Sequence, residues 1–213
     1  MEKLIHAIQK KVDSSENRLM IGISGHGASG KTTFTQELIN GLGKEKVAYL
    51  NTDPYILSSD VRNYSLIPYS CEGIEYKYKM TACHPAAHAV SILERDLRVL
   101  KEGKDFLSIT NHYVTGQWIA PKKVTIVEGM STAFVNLNLF DLTLYFYTDS
   151  DTELERRLER DISERGTKKE YLIDSHQHRR IQYDVFMHPY SRNFDIVIQN
   201  SNQEYRIEKN TLY

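Results

Sequence analysis

Short apolar runs alternate with amphipathic stretches along most of the chain. Short, mostly apolar runs predict strands over 19–24, 47–50, 106–109, 124–127, 142–146 and 194–198. Runs without polar alternation are typical of parallel strands that are buried on both faces. Apolar residues at helical spacing predict helices over 2–12, 32–42, 89–100, 151–164 and 169–187. This order predicts an α/β protein with a doubly wound, mostly parallel sheet and helices on both faces.

The junction between the first strand and the next helix carries a phosphate-binding motif. Residues 25–32 read Gly-His-Gly-Ala-Ser-Gly-Lys-Thr, the P-loop pattern of Gly, four residues and Gly-Lys-Thr. Glycines let the backbone wrap a phosphate chain with its N–H groups pointing inward. Lys31 then reaches the β- and γ-phosphates, and the Thr32 hydroxyl binds Mg²⁺. The predicted nucleotide-binding residues are Gly25, His26, Gly27, Ala28, Ser29, Gly30, Lys31, Thr32 and Thr33.

The flanks of the motif have the order that a P-loop requires. An apolar strand precedes it, and Phe34, Leu38 and Leu42 lie on one face of the helix that follows. A helix that begins at the loop directs the positive end of its dipole at the phosphates. The Tyr-rich residues 54–82 show no clear period, and we expect loop and short helix there, over this site.

Composition limits the classes of partner. The 213 residues suit one domain with a small lid, and 40% hydrophobic with 26% charged residues is typical of a globular protein. A net charge of −1 gives no reason to expect nucleic acid or an anionic membrane as partner. Two cysteines are too few for a disulfide framework, and the polar start does not resemble a signal peptide, so we expect a cytoplasmic protein. The composition is compatible with a homo-oligomer.

Two carboxylates follow predicted strands closely. Ligands of doubly wound sheets bind beyond the carboxyl ends of the strands, so Asp53 and Glu128 should both face the P-loop ligand. Phosphoryl transfer to an alcohol needs a carboxylate that accepts the hydroxyl proton or holds the metal's water. The alternatives are a turn-starting Asp before Pro54 and a strand-end Glu with structural partners.

The strongly charged stretch 153–166, most of which falls in the helix predicted over 151–164, carries three clustered arginines. Arg156 and Arg160 lie one turn apart, and Arg157 lies beside them. Such a run is typical of a solvated helix with ion pairs between successive turns. An arginine cluster is also what a kinase lid uses to neutralise charge on a transferring phosphoryl group. Both interpretations fit the run by itself.

Together these features resemble the uridine kinase/phosphoribulokinase family. The likeness rests on the P-loop, the Asp after the second strand, Val-Glu-Gly at 127–129 and Arg-Arg-x-x-Arg-Asp-Ile-Ser-Glu-Arg-Gly at 156–166. It covers about residues 19–200. A weaker likeness, over Asn111–Gly116, is to a stretch seen in phosphoribulokinases.

The resemblance implies an ATP-dependent kinase that phosphorylates a hydroxyl of a small, nucleoside-like metabolite, with ATP and Mg²⁺ as cofactors. It implies a single P-loop kinase domain over residues 1–213. Asp53 is then the catalytic base, Lys31 binds phosphate, and Thr32, Asp53 and Glu128 form the metal site. Arg160 and Arg165 would reach the ATP phosphates from a lid over about 156–170.

The chain departs from the family pattern at two acceptor-side positions. Uridine kinases have a Tyr-Asp pair after the third strand, where this chain has Thr110-Asn111. They also have an arginine directly after the Glu-Arg-Gly of the lid, where this chain has Thr167. The acceptor pocket is therefore expected to differ from theirs.

Three functional hypotheses follow. The first is a kinase that phosphorylates a nucleoside-like acceptor. The second is a sugar-phosphate kinase similar to phosphoribulokinase, and the third is a regulator that binds ATP with little or no hydrolysis. The sequence contains neither Asn-Lys-x-Asp nor Leu-Ser-Gly-Gly-Gln, which disfavours a GTPase switch and a transporter ATPase.

Overall fold

A computed structural model describes residues 1–110, 115–202 and 204–212, without the side chains of residues 164 and 165. The strands are β1 (Leu19–Gly25), β2 (Val47–Asn51), β3 (Leu66–Cys71), β4 (Ile74–Lys79), β5 (Phe106–Leu107), β6 (Trp118–Ile119), β7 (Val124–Glu128), β8 (Leu142–Tyr147), β9 (Ile196–Ser201) and β10 (Glu204–Asn210). The helices are α1 (Glu2–Ser14), α2 (Lys31–Leu42), α3 (Ser59–Asn63), α4 (Val90–Lys101), α5 (Ser150–Arg165) and α6 (Lys169–Gln182).

The central sheet has six strands in the order β10-β9-β8-β1-β7-β2. Its strands are parallel except β10, which pairs antiparallel with β9. The last residue of β7, Glu128, lies opposite Ile23 of β1 and Asn51 of β2. The carboxyl ends of these three strands therefore meet at one edge, where the segments that follow them form the functional site.

Apolar clusters on both faces of the sheet confirm the doubly wound architecture. One face packs against α1 and α2, with Ile8 and Leu38 fully buried among the strands. The other face packs against α4 through Leu93 and Leu97. Burying a side chain of this size stabilises the fold by roughly 1.5–3 kcal/mol. The apolar faces of the helices and the apolar strands are therefore held against each other by the same burial. No helix within the described residues is long and apolar enough to cross a membrane.

The prediction of loop and short helix over 54–82 was wrong for its second half. Residues 66–79 form the β3–β4 hairpin, which lies outside the central sheet. Its turn is Glu72-Gly73, with φ of 52° and 79°, a left-handed pair that suits a two-residue hairpin. Both strands are largely exposed; β4 is rich in Tyr and Lys, and β3 is interrupted by Pro68. A pattern search for buried apolar strands therefore missed them.

Several predicted boundaries also need correction. Only Phe106–Leu107 of the run 106–109 is a strand, and it pairs with β6 outside the central sheet. Leu107 is 54% exposed, so this run is no buried parallel strand. The run 194–198 is not the last strand, because β10 follows β9 as an antiparallel edge strand whose polar, exposed residues gave no apolar signal. The helix predicted over 169–187 ends at Gln182, and a wider turn follows.

Candidate active site

The P-loop joins β1 to α2 and has the backbone that its glycines predict. Ala28 and Gly30 both have left-handed φ, of 66° and 89°. A Cβ on Gly30 would collide with the side-chain amide of Asn200, so only glycine fits there. Helix α2 begins at Lys31, directly after this turn. Its unpaired N–H groups and its dipole therefore face the loop, as an anion site requires.

The functional groups of the loop converge on Glu128. The Lys31 ammonium lies 3.9 Å from Glu128 Oε1, and the Thr32 hydroxyl donates to the same oxygen at 3.3 Å. The hydroxyl of Tyr49 donates to Glu128 Oε2 at 2.8 Å and orients the carboxylate. Glu128 is only 2% exposed, whereas Thr32 is open to solvent. The Lys31 ammonium and the Thr32 and Tyr49 hydroxyls thus form, around the Glu128 carboxylate, a small polar cluster at the mouth of the P-loop.

Asp53 lies at the same edge of the sheet. The Thr52 N–H donates to the Glu128 carbonyl at 2.8 Å, which ties the end of β2 to the end of β7. The Asp53 N–H donates to Asn51 Oδ1 at 2.7 Å, and its own side chain is exposed. Burial first, then Glu128 and Asp53, raise the pKa of Tyr49 well above its usual range. The carboxylate of Asp53 is therefore near enough to the cluster around Glu128 to help raise the pKa of Tyr49.

His26 has a structural place inside the P-loop. Its ring is 1% exposed; Nε2 accepts from the Thr148 N–H at 2.9 Å, and Nδ1 lies 2.8 Å from the Gly27 carbonyl. This pattern requires a neutral ring with its proton on Nδ1. Nδ1 also lies 3.5 Å from a carboxylate oxygen of Glu153 in α5. Burial lowers the pKa of His26 to about 4, so the ring stays neutral at pH 7.

The folding stability should fall as the pH drops from about 6.5 to about 4. Burial lowers the pKa of His26 and also of His88, each to about 4, while the unfolded chain titrates near 6.5. Between these values the unfolded state binds protons that the folded state refuses, so the stability present above pH 6.5 is lost on acidification. Each histidine contributes on the order of 3 kcal/mol over that whole window.

Urea unfolding at a series of pH values measures this loss. His26→Asn and His88→Asn should each flatten the dependence of unfolding free energy on pH. His6, which is exposed on α1, supplies the control His6→Asn, expected to keep the dependence of the unaltered chain. Identical pH curves for all three variants would contradict the assignment.

The predicted lid arginines occupy different environments. Arg156 Nη1 donates to the carbonyls of Ala28 and Asn200 at 3.2 and 3.1 Å, which ties α5 to the P-loop. Arg160 instead forms a two-pronged ion pair with Asp161, with Nε and Nη2 both 2.8 Å from Oδ1. The side chain of Arg165 lies outside the described part of the molecule. In this conformation Arg156, and not Arg160, makes the described hydrogen bond to the loop.

Sequence reasoning missed Arg179 of α6. Its Nη2 lies 3.7 Å from the position that a Cβ on Gly27 would occupy, which places it against the P-loop. Burial and then the charge of Arg179 lower the pKa of Arg157 in α5 to about 10, so the two guanidinium groups are close. The adjacent pair Arg179-Arg180 near the end of a predicted helix was the available signal.

One of the two positions at which the sequence departs from the uridine kinase pattern, Asn111, lies outside the described residues.

A P-loop at the carboxyl edge of a parallel sheet, acidic residues after the two neighbouring strands and an arginine-bearing helix over the loop define a P-loop kinase. The chain belongs to the phosphoribulokinase/uridine kinase family, whose sequence model matches residues 20–205. It is an ATP-dependent phosphotransferase of the uridine kinase type, with a hydroxyl group as acceptor.

Individual relatives agree with this membership. The uridine kinase of Macrococcus caseolyticus is 33% identical over 189 residues, which cover 84% of this chain and 86% of that protein. Among solved structures, phosphoribulokinase from Rhodobacter spheroides is similar with a TM-score of 0.57 and 19% identity, over 87% of this chain and 71% of the other. D-glycerate 3-kinase from Cryptococcus neoformans has a TM-score of 0.59 and 12% identity, over 97% and 98%. The two structures show a shared fold.

Proposed function

We propose that Asp53 is the general base that activates the acceptor hydroxyl. The hydroxyl oxygen attacks the γ-phosphorus of ATP, its proton passes to Asp53, and the bond to the β,γ-bridging oxygen breaks to release ADP. The observation that carries the proposal is the convergence of Lys31 and Thr32 on Glu128 at one edge of the sheet. Asp53 follows the neighbouring strand at that edge. An exposed carboxylate beside a phosphate cradle suits a base that meets an incoming acceptor.

The same cluster fits a magnesium ion. Mg²⁺ prefers oxygen ligands and is usually held by one or two protein groups together with substrate phosphates. Thr32 Oγ1 and Glu128 Oε1 lie 3.3 Å apart at the open loop, and Asp53 adds a third oxygen donor at the same edge. No group of three or more His, Cys, Asp or Glu within the described residues forms a metal cage. A bound ion would neutralise charge on the β- and γ-phosphates.

A screen of ATP consumption tests the proposed reaction. ADP release is measured with Mg²⁺ and a panel of nucleosides, sugars, sugar phosphates and vitamins. We expect at least one hydroxyl acceptor to stimulate ADP release far above the rate with water. Binding of an ATP analogue without acceptor-dependent ADP release across the panel would favour the regulator hypothesis instead.

Uridine is expected to be a poor acceptor. Thr167 is half-buried beside a polar cavity that Arg157 and Arg179 also line, and its short hydroxyl offers none of the forked donors of the arginine that uridine kinases have at this position. A site that lacks such polar partners loses up to about 10⁴-fold of its preference, in kcat/KM, for the substrate that those partners would bind. Steady-state kinetics with uridine and cytidine should give kcat/KM below ~10⁴ M⁻¹s⁻¹, the lower end of the ordinary enzyme range. A uridine value inside that range would show that the departures are tolerated.

The segment 156–170 is proposed to act as a lid that closes over ATP. Gly166 ends α5 in a left-handed conformation with open space around it, and residues 166–168 join α5 to α6. Hydrogen exchange over 156–170 should slow when a non-hydrolysable ATP analogue and Mg²⁺ are added, because closure protects backbone amides. Helix α1, packed on the far side of α2, serves as the internal control. Equal exchange in the lid with and without nucleotide would count against closure.

A further inference from the structure

A polar cavity of about 200 Å³ lies beside the P-loop, between α3, the end of β4, and helices α5 and α6. Arg157 and Asp161 line it from α5, Arg179 from α6, and Lys79 from β4. No P-loop residue and no Glu128 atom belongs to its lining. Asp53 begins the turn that leads to α3, whose residues line the opposite wall. The cavity therefore lies between the segment that follows the proposed base and helices α5 and α6.

Two guanidinium nitrogens at this cavity have no hydrogen-bond acceptor among the described residues: Arg157 Nη1 and Arg179 Nε. Arg157 is only 5% exposed, so water does not compensate its charge freely. Leaving a buried charged donor unpaired is costly, and such groups are usually paired in native structures. A nine-tenths buried guanidinium group that keeps one nitrogen without an acceptor at a cavity is the feature expected where an anionic ligand completes the site.

The neighbouring carboxylates are already shared with other cations. Asp161 accepts the two-pronged bond from Arg160, and its second oxygen lies 3.5 Å from Arg157 Nε. Glu153 Oε2 lies 3.3 Å from Arg180 Nη1. Arg180 Nη2 also lies 3.7 Å from Asp184 Oδ1. Among the described residues that line the cavity, the cations Arg62, Lys79, Arg157 and Arg179 outnumber the one carboxylate, that of Asp161. The cavity keeps an excess of positive charge.

Lys79, at the end of the β3–β4 hairpin, adds an ammonium group to the cavity wall. Lys79 Nζ donates to the Tyr171 hydroxyl at 2.8 Å and lies 4.8 Å from the centre of that ring. These contacts hold the ammonium at the cavity wall while leaving two of its three donor hydrogens for other acceptors. The hairpin missed by the sequence prediction therefore brings a charge to this cavity.

We propose that the acceptor carries an anionic group, a phosphate ester or a carboxylate, which binds between Arg157, Arg179 and Lys79 while its hydroxyl faces Asp53. This inference rests on the proposed function, since it names the acceptor class for the same transfer. Guanidinium groups bind both anions by paired hydrogen bonds. The shared chemistry is a small hydroxylated anion, and the assay below separates its two forms.

Titration of inorganic phosphate tests the anion site without a known acceptor. A non-hydrolysable ATP analogue with Mg²⁺ first fills the P-loop, so that phosphate cannot bind there; acetate is titrated in parallel as the carboxylate probe. We expect calorimetry to detect binding of at least one probe, weakened about 10- to 100-fold in Arg179→Gln because one charge-assisted contact is lost. Arg206→Gln, on exposed β10, is the matched control and should bind like the unaltered chain.

Arg179 is the residue of choice because it is only half-buried, whereas Arg157 is 5% exposed and its replacement would remove one of the ion-pair partners of Asp161 inside the fold. Arg179→Lys keeps the charge and should recover part of the affinity. Circular dichroism and binding of the ATP analogue verify that each variant folds. Absence of phosphate and acetate binding to the analogue-loaded protein, or equal binding by Arg179→Gln and Arg206→Gln, would overturn the anion site.

Paired acceptors then test the substrate class. Ribose 5-phosphate and ribulose 5-phosphate are compared with their neutral sugars, and glycerate and gluconate with glycerol and glucose. We expect an anionic member to exceed its neutral partner by about 100-fold or more in kcat/KM, and Arg179→Gln to raise its KM while the KM for ATP stays nearly unchanged. Turnover restricted to neutral acceptors, or an increase confined to the KM for ATP, would overturn the inference while the proposed kinase function stands.

Discussion

Replacing Lys31 with alanine is expected to lower acceptor-dependent ADP release by about 10²–10³-fold, the loss typical of removing one preorganised charge stabiliser. Lys31 is 9% exposed and begins α2 beside the phosphate cradle. Its ammonium lies 3.9 Å from Glu128 and close to the loop. In the variant no positive side chain from the P-loop would compensate the charge of the transferring phosphoryl group.

Steady-state kinetics and ATP-analogue titration measure this effect. Lys46→Ala is the matched control, because Lys46 is exposed in the turn after α2 and lies outside the cluster. Thermal unfolding checks that Lys31→Ala still folds, since the variant leaves the Glu128 carboxylate with only hydroxyl partners, from Thr32 and Tyr49. A Lys31→Ala enzyme that turns over acceptor at the rate of the unaltered chain would show that the loop does not act as a P-loop.

Asp53→Asn is expected to keep ATP binding and to lose about 10²–10⁴-fold in kcat, which is the usual contribution of a general base. The amide has nearly the shape of the carboxylate but cannot accept the hydroxyl proton. Asp53 is exposed, and the described hydrogen bonds of this residue are made by its backbone N–H and carbonyl, so the substitution should not disturb the fold. A selective loss of kcat would separate proton transfer from nucleotide binding.

The control for this variant is Asp13→Asn, since Asp13 is exposed near the end of α1, away from the edge where β1, β7 and β2 end. Calorimetric titration of the ATP analogue and Mg²⁺ should give similar affinities for Asp13→Asn and the unaltered chain. An unchanged kcat in Asp53→Asn would remove Asp53 from the role of base. A lost affinity for Mg²⁺ with intact proton transfer would instead make it mainly a metal-site residue.

The central sheet could be predicted because its strands are buried on both faces. The runs at 124–127 and 142–146 are buried throughout and apolar except at Thr125 and Thr143, so local composition and tertiary burial give the same answer. The β3–β4 hairpin and β10 could not be found in this way. Their side chains are mostly exposed, and their pairing depends on a left-handed turn or an edge position and not on apolar runs.

The P-loop was readable from sequence because eight consecutive residues contain its chemistry and its backbone requirements. Glu128 and Asp53 were predicted from their place after strands. The parallel pairing of β7 with β1 and β2 brings Glu128 to the loop and leaves Asp53 at the same edge of the sheet. The resemblance of residues 156–166 to a kinase lid led to family membership, which the match over 20–205 confirms. The catalytic roles of Asp53, Arg160 and Arg165 stay predictions.

What the sequence by itself determined is the α/β class, the nucleotide cradle and the edge at which the acidic residues gather, since each depends on short stretches or on strand order. The tertiary structure decided which cations meet. Arg156 reaches the P-loop, Arg160 pairs with Asp161, and Arg179 joins Arg157 at a cavity. Sequence spacing gives the face of a helix that carries a charge, but the packing of α5 against α6 and the hairpin determines which charges stay unpaired. This packing leaves one donor nitrogen each of Arg157 and Arg179 without an acceptor among the described residues, a feature that helix spacing alone does not reveal.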